Sequence, residues 1–91
     1  MLKVERTGQF EKSLNKLYED NPEIRQLVKV RIRTFQFNPN DSRLKNHALR
    51  SRMRGKFAFS IASDVRIVYE TIGKNTVRFL TIGSHKHVYR L

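Results

Sequence analysis

The sequence predicts an α+β domain in which one short strand and two helices precede three or more antiparallel strands, in the order β-α-α-β-β-β. Three observations carry this prediction. Apolar residues recur with a helical period before the turn-rich segment Asn38-Pro39-Asn40-Asp41-Ser42 and with a period of two after it. Gly73-Lys74-Asn75 separates two alternating segments, as in a hairpin. The 91 residues suffice for one hydrophobic core but not for two, and repeats, linkers and low-complexity segments are absent from the sequence. A single domain over residues 1–91 is expected.

Each element follows from local pattern. Leu2 and Val4 alternate with Lys3 and Glu5, which suits a short strand with one buried face. Thr7 offers an N-cap, and Phe10, Leu14, Leu17 and Tyr18 form the stripe of an amphipathic helix that stops near Asp20–Asn21. Asn21 is the expected cap of a second helix opened by Pro22, whose missing N–H costs nothing at that position. Ile24, Leu27, Val28, Ile32 and Phe35 supply its apolar face, and the short connection implies an antiparallel helix pair.

In the second half, Phe57, Phe59 and Ile61 alternate with Ala58, Ser60 and Ala62. Val65, Ile67 and Tyr69 alternate with Arg66, Val68 and Glu70, and Val77, Phe79 and Thr81 with Arg78, Leu80 and Ile82. A three-residue hairpin loop would place Glu70 opposite Arg78, Val68 opposite Leu80 and Arg66 opposite Ile82, uniting Val65, Ile67, Tyr69, Val77 and Phe79 on one core face.

Charge and composition bound the function. Nineteen Lys and Arg against eight Asp and Glu leave a formal charge of +11, a field that favours polyanions, of which nucleic acid is the commonest inside cells. Arg25, Lys29 and Arg33 repeat at helical spacing, while Arg50, Arg52, Arg54 and Lys56 alternate along another stretch, so two basic surfaces are expected. Lack of cysteine excludes zinc ribbons and disulfide scaffolds. The charged start and the absence of a long apolar run support neither a signal peptide nor a membrane span, so a cytoplasmic protein that needs no membrane is expected. No phosphate-binding loop, dinucleotide fingerprint, zinc-protease helix or serine elbow is present.

Candidate chemistry rests on three histidines, His47, His85 and His87. Histidine is the usual acid–base group near neutrality, although an idle solvated ring is the default for any one of them. A His85-x-His87 pair on a strand would place both rings on one face, but it lacks carboxylate or thiolate company in sequence, so neither metal nor cofactor is assigned. RNA cleavage needs no metal when the substrate supplies its own 2′-hydroxyl: the protein must orient that group, neutralise charge on phosphorus and protonate the leaving oxygen. Arg66, Arg78, His85, Tyr89 and the Arg50–Lys56 stretch supply suitable groups. Arg78 has Glu70 as a cross-strand partner, whereas Arg66 has no opposite charge in register, and Asp64 suits a turn between strands. Strict alternation leaves His85 on the face opposite Arg66, so a bend or bulge at Gly83 is predicted to bring them together.

The series Phe10-x-x-x-Leu14-x-x-Leu17, Asn38-Pro39, Leu44-Lys45-x-His47-x-Leu49, Gly55, Asp64-x-Arg66-Ile67-Val68-Tyr69 and Phe79-Leu80-x-Ile82-Gly83-x-His85 resembles the RelE/ParE toxin superfamily across nearly the whole chain. The resemblance implies a toxin of a type II toxin–antitoxin pair, with two N-terminal helices packed against a curved, mainly antiparallel sheet. Its RelE-like branch cleaves mRNA in the ribosomal A site without metal. Its ParE branch instead poisons DNA gyrase, the main alternative; a degenerate nucleic-acid-binding member is another. Within the RelE-like branch, the resemblance assigns phosphate stabilisation to Arg66, acid–base work to His85 and nucleotide stacking to Tyr89. His47 and Asp64 resemble active-site residues of the YafQ-like subgroup, whereas a further histidine expected in the strand Phe57–Ser63 is replaced at Ser60 or a neighbour. Lys45, Arg50, Arg52, Arg54, Lys56 and His87 are the expected RNA-gripping set. The implied partners are a cognate antitoxin and mRNA on the ribosome with its 16S rRNA.

Overall fold

The computed structural model describes residues 1–89. Strand β1 (Lys3–Arg6) leads into helix α1 (Gly8–Asp20), and helix α2 (Arg25–Phe37) follows after a 3-10 turn at Pro22–Ile24. Strands β2 (His47–Ala48), β3 (Phe57–Ala62), β4 (Val65–Gly73) and β5 (Thr76–Gly83) complete a sheet of order β1-β5-β4-β3-β2, and a four-residue helix, α3 (His85–Val88), follows it. β1 runs parallel to β5, and every other pairing is antiparallel. The expected α+β class and element order are thus present, with two short elements, β2 and α3, added. Among the described residues no helix is long and apolar enough to cross a membrane.

Thr7 caps α1 as expected, its hydroxyl accepting the Phe10 N–H at 3.0 Å. That hydroxyl also donates to the Phe79 carbonyl at 2.9 Å, and the Thr7 N–H reaches the same carbonyl, which fastens the start of α1 to β5. Pro22 opens a 3-10 turn rather than α2 itself, and Asn21 makes no side-chain cap hydrogen bond. The helices cover one face of the sheet. Phe10, Leu14, Ile24, Val28 and Phe35 meet Phe59, Ile61, Ile67, Tyr69, Val77, Phe79 and Ile82 in the main core. Phe35 stacks on Phe59 with centroids 4.2 Å apart and meets the Tyr69 ring edgewise at 4.9 Å. Burial pushes the Tyr69 phenol pKa up, and its hydroxyl donates to Asn46 Oδ1 at 2.7 Å, which ties the loop before β2 to the sheet.

Across the sheet lies a smaller apolar cluster of Met53, Ala58, Val68 and Val88, flanked by Leu49, Leu80 and Tyr89. It fixes the 3-10 turn Ser51–Met53 and α3 to the face that the long helices leave open.

The β4–β5 register departs from strict alternation twice. The hairpin loop has two residues, Lys74 and Asn75, with Ile72 as an extra residue in β4, so Glu70 still faces Arg78 as predicted. Beyond Tyr69↔Phe79, however, Val68 faces Thr81, Ile67 faces Ile82 and Arg66 faces Gly83, because Leu80 is an extra residue in β5. The predicted Val68–Leu80 and Arg66–Ile82 pairs are therefore replaced, and Ile82 joins Phe79 in the helix-side core.

Thr7→Val keeps the shape of the side chain but loses both the cap and the hydroxyl's bond to the Phe79 carbonyl, leaving the backbone N–H bond to it. It should lower unfolding stability by about 1–2 kcal/mol, read from the shift of a urea denaturation midpoint at unchanged slope.

Candidate active site

Arg66 stands on β4 between Ser60 of β3 and Gly83 of β5, on the sheet face away from the helices. Just beyond Gly83 the chain turns. Ser84 Oγ accepts the His87 N–H at 3.2 Å and starts α3, so His85 is carried over the sheet end rather than along it. Asp64, in the β3–β4 turn, accepts the His85 backbone N–H on Oδ1 at 3.2 Å, while Val88 anchors the other end of α3 in the small core. Asp64 thus combines its expected turn role with a direct tie to the segment that carries His85.

These anchors bring Arg66, His85 and Tyr89 together. Arg66 Nη1 lies 3.0 Å from His85 Nδ1. The His85 and Tyr89 rings meet at 76° with centroids 4.5 Å apart, and the Arg66 guanidinium carbon lies 5.8 Å from the Tyr89 ring centre. Arg66 Nε and the Tyr89 hydroxyl are buried without a hydrogen-bond partner among the described residues. His85 itself is exposed, and with Tyr89 it forms one wall of a cleft of about 320 Å³. Leu49 and Met53 contribute apolar lining, and Arg50, Ser51 and Arg52 complete it. Ser51 adopts φ 57°, a left-handed conformation that bends the arginine-bearing loop.

The predicted convergence of Arg66 and His85 is present: the chain bends directly after Gly83, which itself stays in the strand, and the bulge lies earlier, at Leu80. A side chain at Gly83 would place its Cβ 2.7 Å from His87 Cδ2 and 3.1 Å from its Cγ. His87 therefore packs over Gly83 and lines a separate groove with Lys16, Leu17 and Val65, away from the cleft of His85. The expectation of two histidine rings on one strand face is overturned, because residues two apart on a helical turn point in different directions.

His47 lies on β2 opposite Ala58, on the same sheet face as Arg66, and its Nδ1 donates to the Lys45 carbonyl at 2.8 Å. It shares that face without a hydrogen bond to the Arg66–His85–Tyr89 group. Arg50 and Arg52 line the cleft, whereas Lys45 and Arg54 are exposed on neighbouring loops and Lys56 is half-buried just before β3. Arg78 pairs with Glu70 at 3.3 Å, as expected, and also with Glu5 at 3.4 Å. Leu49, Met53 and Ser51 are cleft residues that sequence reasoning missed: their only signal was proximity to the basic stretch.

Two helices on one face of such a sheet, with arginine, histidine and tyrosine gathered on the other, have the architecture that the resemblance to RelE/ParE toxins implies. Residues 2–90 match the family described as the bacterial toxin of type II toxin–antitoxin systems, YafQ, and the chain belongs to that family. A copper-bound mutant toxin from Helicobacter pylori is 26% identical, with a TM-score of 0.79 over 97% of this chain and 99% of that one. YafQ from Escherichia coli is 22% identical, with a TM-score of 0.80 over 98% and 99% of the two chains. The E. coli DinJ–YafQ complex matches at 20% identity and a TM-score of 0.79, over the same shares. Comparison with curated proteins returned no match.

Gly83→Ala should cost about 1 kcal/mol and move the amide resonances of Ser84–Tyr89, since the new methyl group meets His87. Adding His87→Ala should recover most of that loss, a non-additivity read from the double-mutant cycle.

Proposed function

We propose that this type II toxin is a metal-independent endoribonuclease that cleaves mRNA in the A site of the ribosome and so inhibits translation. The observation that carries the reading is the contact of Arg66, His85 and Tyr89 beside a cleft rimmed by Arg50 and Arg52. In this reading the 2′-hydroxyl of the substrate attacks the adjacent phosphorus as the bond from phosphorus to the 5′ oxygen breaks. Arg66 takes the phosphate oxygens, where charge builds up in the transition state. His85 protonates the departing 5′ oxygen. His47, whose Nδ1–H is held by the Lys45 carbonyl, presents Nε2 as the acceptor for the 2′ proton. The products are a 2′,3′-cyclic phosphate and a 5′-hydroxyl. Tyr89 offers its ring to a nucleobase, a stacking contact of about 1–3 kcal/mol. Asp64 acts through His85 as a positioning residue, by holding the first N–H of α3.

Lys45, Arg50, Arg52, Arg54 and Lys56 meet phosphates of mRNA and 16S rRNA in this reading. His87 has no part in it, since it faces another groove. The chain requires no cofactor for this chemistry, works in the cytoplasm where ribosomes translate, and is held inactive by a cognate antitoxin.

Purified ribosomes carrying a defined mRNA, incubated with the protein in metal-replete and metal-depleted buffer, test the reading by primer extension. Wild type should cut at an A-site codon, and His85→Ala and Arg66→Ala should each slow cutting by about 100-fold or more. Intact mRNA with folded protein and active ribosomes, together with inhibited gyrase supercoiling, would transfer the function to the ParE alternative.

Ribosome binding should weaken steeply with salt. Replacing Arg50, Arg52 and Arg54 with alanine should reduce the slope of log affinity against log salt by about 2, at roughly 0.7 per single-strand phosphate contact. An unchanged slope would remove that loop from the interface.

A further inference from the structure

Arg66 and His85 are joined in a way that a phosphate-binding arginine and a proton-donating histidine do not require. A guanidinium carries only donors, so at 3.0 Å the His85 Nδ1 must accept, with its lone pair turned to Arg66 Nη1. The proton of the neutral ring then sits on Nε2. A neutral imidazole cannot usefully give that proton away, because doing so would leave an imidazolate. To serve as an acid the ring must carry protons on both nitrogens, and Nδ1 is the atom that Arg66 occupies.

Among the described residues the surroundings of the ring give it no substitute partner. Arg66 faces it from β4, Tyr89 from just after α3, and Arg50 and Arg52 from the loop across the cleft. Among the described residues the one carboxylate bonded to His85, that of Asp64, is engaged by the backbone N–H and not by the ring. Lys86 and His87 on α3 add no acceptor, since His87 is turned to the other groove. Arg66 in turn uses one N–H on an uncharged ring while its Nε is buried without a partner among the described residues, which leaves it better matched to the oxygens of a phosphate than to its present neighbour.

We infer that the Arg66–His85 hydrogen bond is a latch that holds His85 as the neutral ring with its proton on Nε2 in the free protein, and that a phosphodiester of the substrate opens it by taking Arg66. Arg66 is thus a positioning residue for His85 in addition to a phosphate ligand. Release of Nδ1 lets the ring take up a second proton from the solvent buffer, whose acid form is left as its conjugate base, next to the phosphate charge that stabilises the imidazolium. The latch deepens the nuclease reading and rests on it for the role of His85 as acid. Its own structural content is the tautomer, which can be read without any cleavage.

Long-range proton–nitrogen NMR of the whole protein labelled in histidine is the test. In the free wild type the His85 signals should show a proton on Nε2 and none on Nδ1, and Arg66→Met, which keeps the bulk and removes the donor, should show a mixture of tautomers. Saturating a wild-type sample with a short oligodeoxynucleotide, which has phosphodiesters but no 2′-hydroxyl and so is not cut, should convert His85 to the doubly protonated pattern at the same pH. A proton on Nδ1 of the free wild type, which needs no variant to fold, would overturn the latch. So would an unchanged tautomer in folded Arg66→Met, or an unchanged His85 pattern at saturating oligonucleotide. Absence of mRNA cleavage on ribosomes with the predicted tautomers present would remove the nuclease reading and leave the latch, whereas cleavage with the wrong tautomer would do the reverse.

Discussion

One extra residue in β5 governs the active face. Leu80 breaks the two-residue alternation between Phe79 and Ile82, so both enter the helix-side core, and it brings Gly83 rather than Ile82 opposite Arg66. Without that insertion a large apolar side chain would stand where Arg66 needs space, and the chain beyond the strand would leave on the other face. Thr7 fastens the bulge to the rest of the molecule. Its hydroxyl lies within hydrogen-bond reach of the Phe79 and Leu80 carbonyls while it caps α1, so helix start and strand irregularity are held by the same side chain. Thr81 adds a second tie through Ser13 at 2.9 Å.

The sheet separates stability from chemistry. Its helix side gathers the stacked aromatics and most fully buried side chains. Its other side has only a small apolar cluster, and that cluster is what seats α3 and the arginine loop around Arg66. Neither α3, with four residues, nor β2, with two, would persist alone. Their order derives from Val88, Met53 and Ala58 meeting beneath them, from the Ser84 cap, and from the carboxylate of Asp64.

Much of this was legible in the sequence, for reasons that also mark where legibility ended. The long elements show clear periods, so α1, α2 and the three main strands were expected, and the Glu70–Arg78 pair with them. Elements as short as β2 and α3 span too few residues to show a period at all. Convergence of Arg66 with His85 was foreseen from the need for both groups, but a bulge leaves no compositional mark when the inserted residue is a leucine like its neighbours, and glycine drew the expectation to residue 83 instead. Ser60 does stand beside Arg66, at the place where the family resemblance implied a histidine. His87 was misplaced for the same reason that α3 was unseen: its direction depends on whether the segment is strand or helix. Cleft residues such as Leu49 and Met53 belong to irregular chain whose path is set by tertiary contact and not by local pattern.

The parallel pairing of β1 with β5 also sets the order in which the molecule can be completed. Lys3 to Arg6 are made early, yet their hydrogen-bonding partners, Thr76 to Phe79, are among the later residues to be synthesised, and α1 packs on the same late strand. A nascent chain therefore carries an unpaired β1 and a partly uncovered α1 until β5 has been made, and contacts so distant in sequence form slowly. His85 and Tyr89 come after β5, so the Arg66–His85–Tyr89 group is assembled only after β1 to β5 have been made. For a protein proposed to attack ribosomes, this topology delays competence during its own synthesis and leaves an interval in which an inhibitor can meet the chain before it has closed.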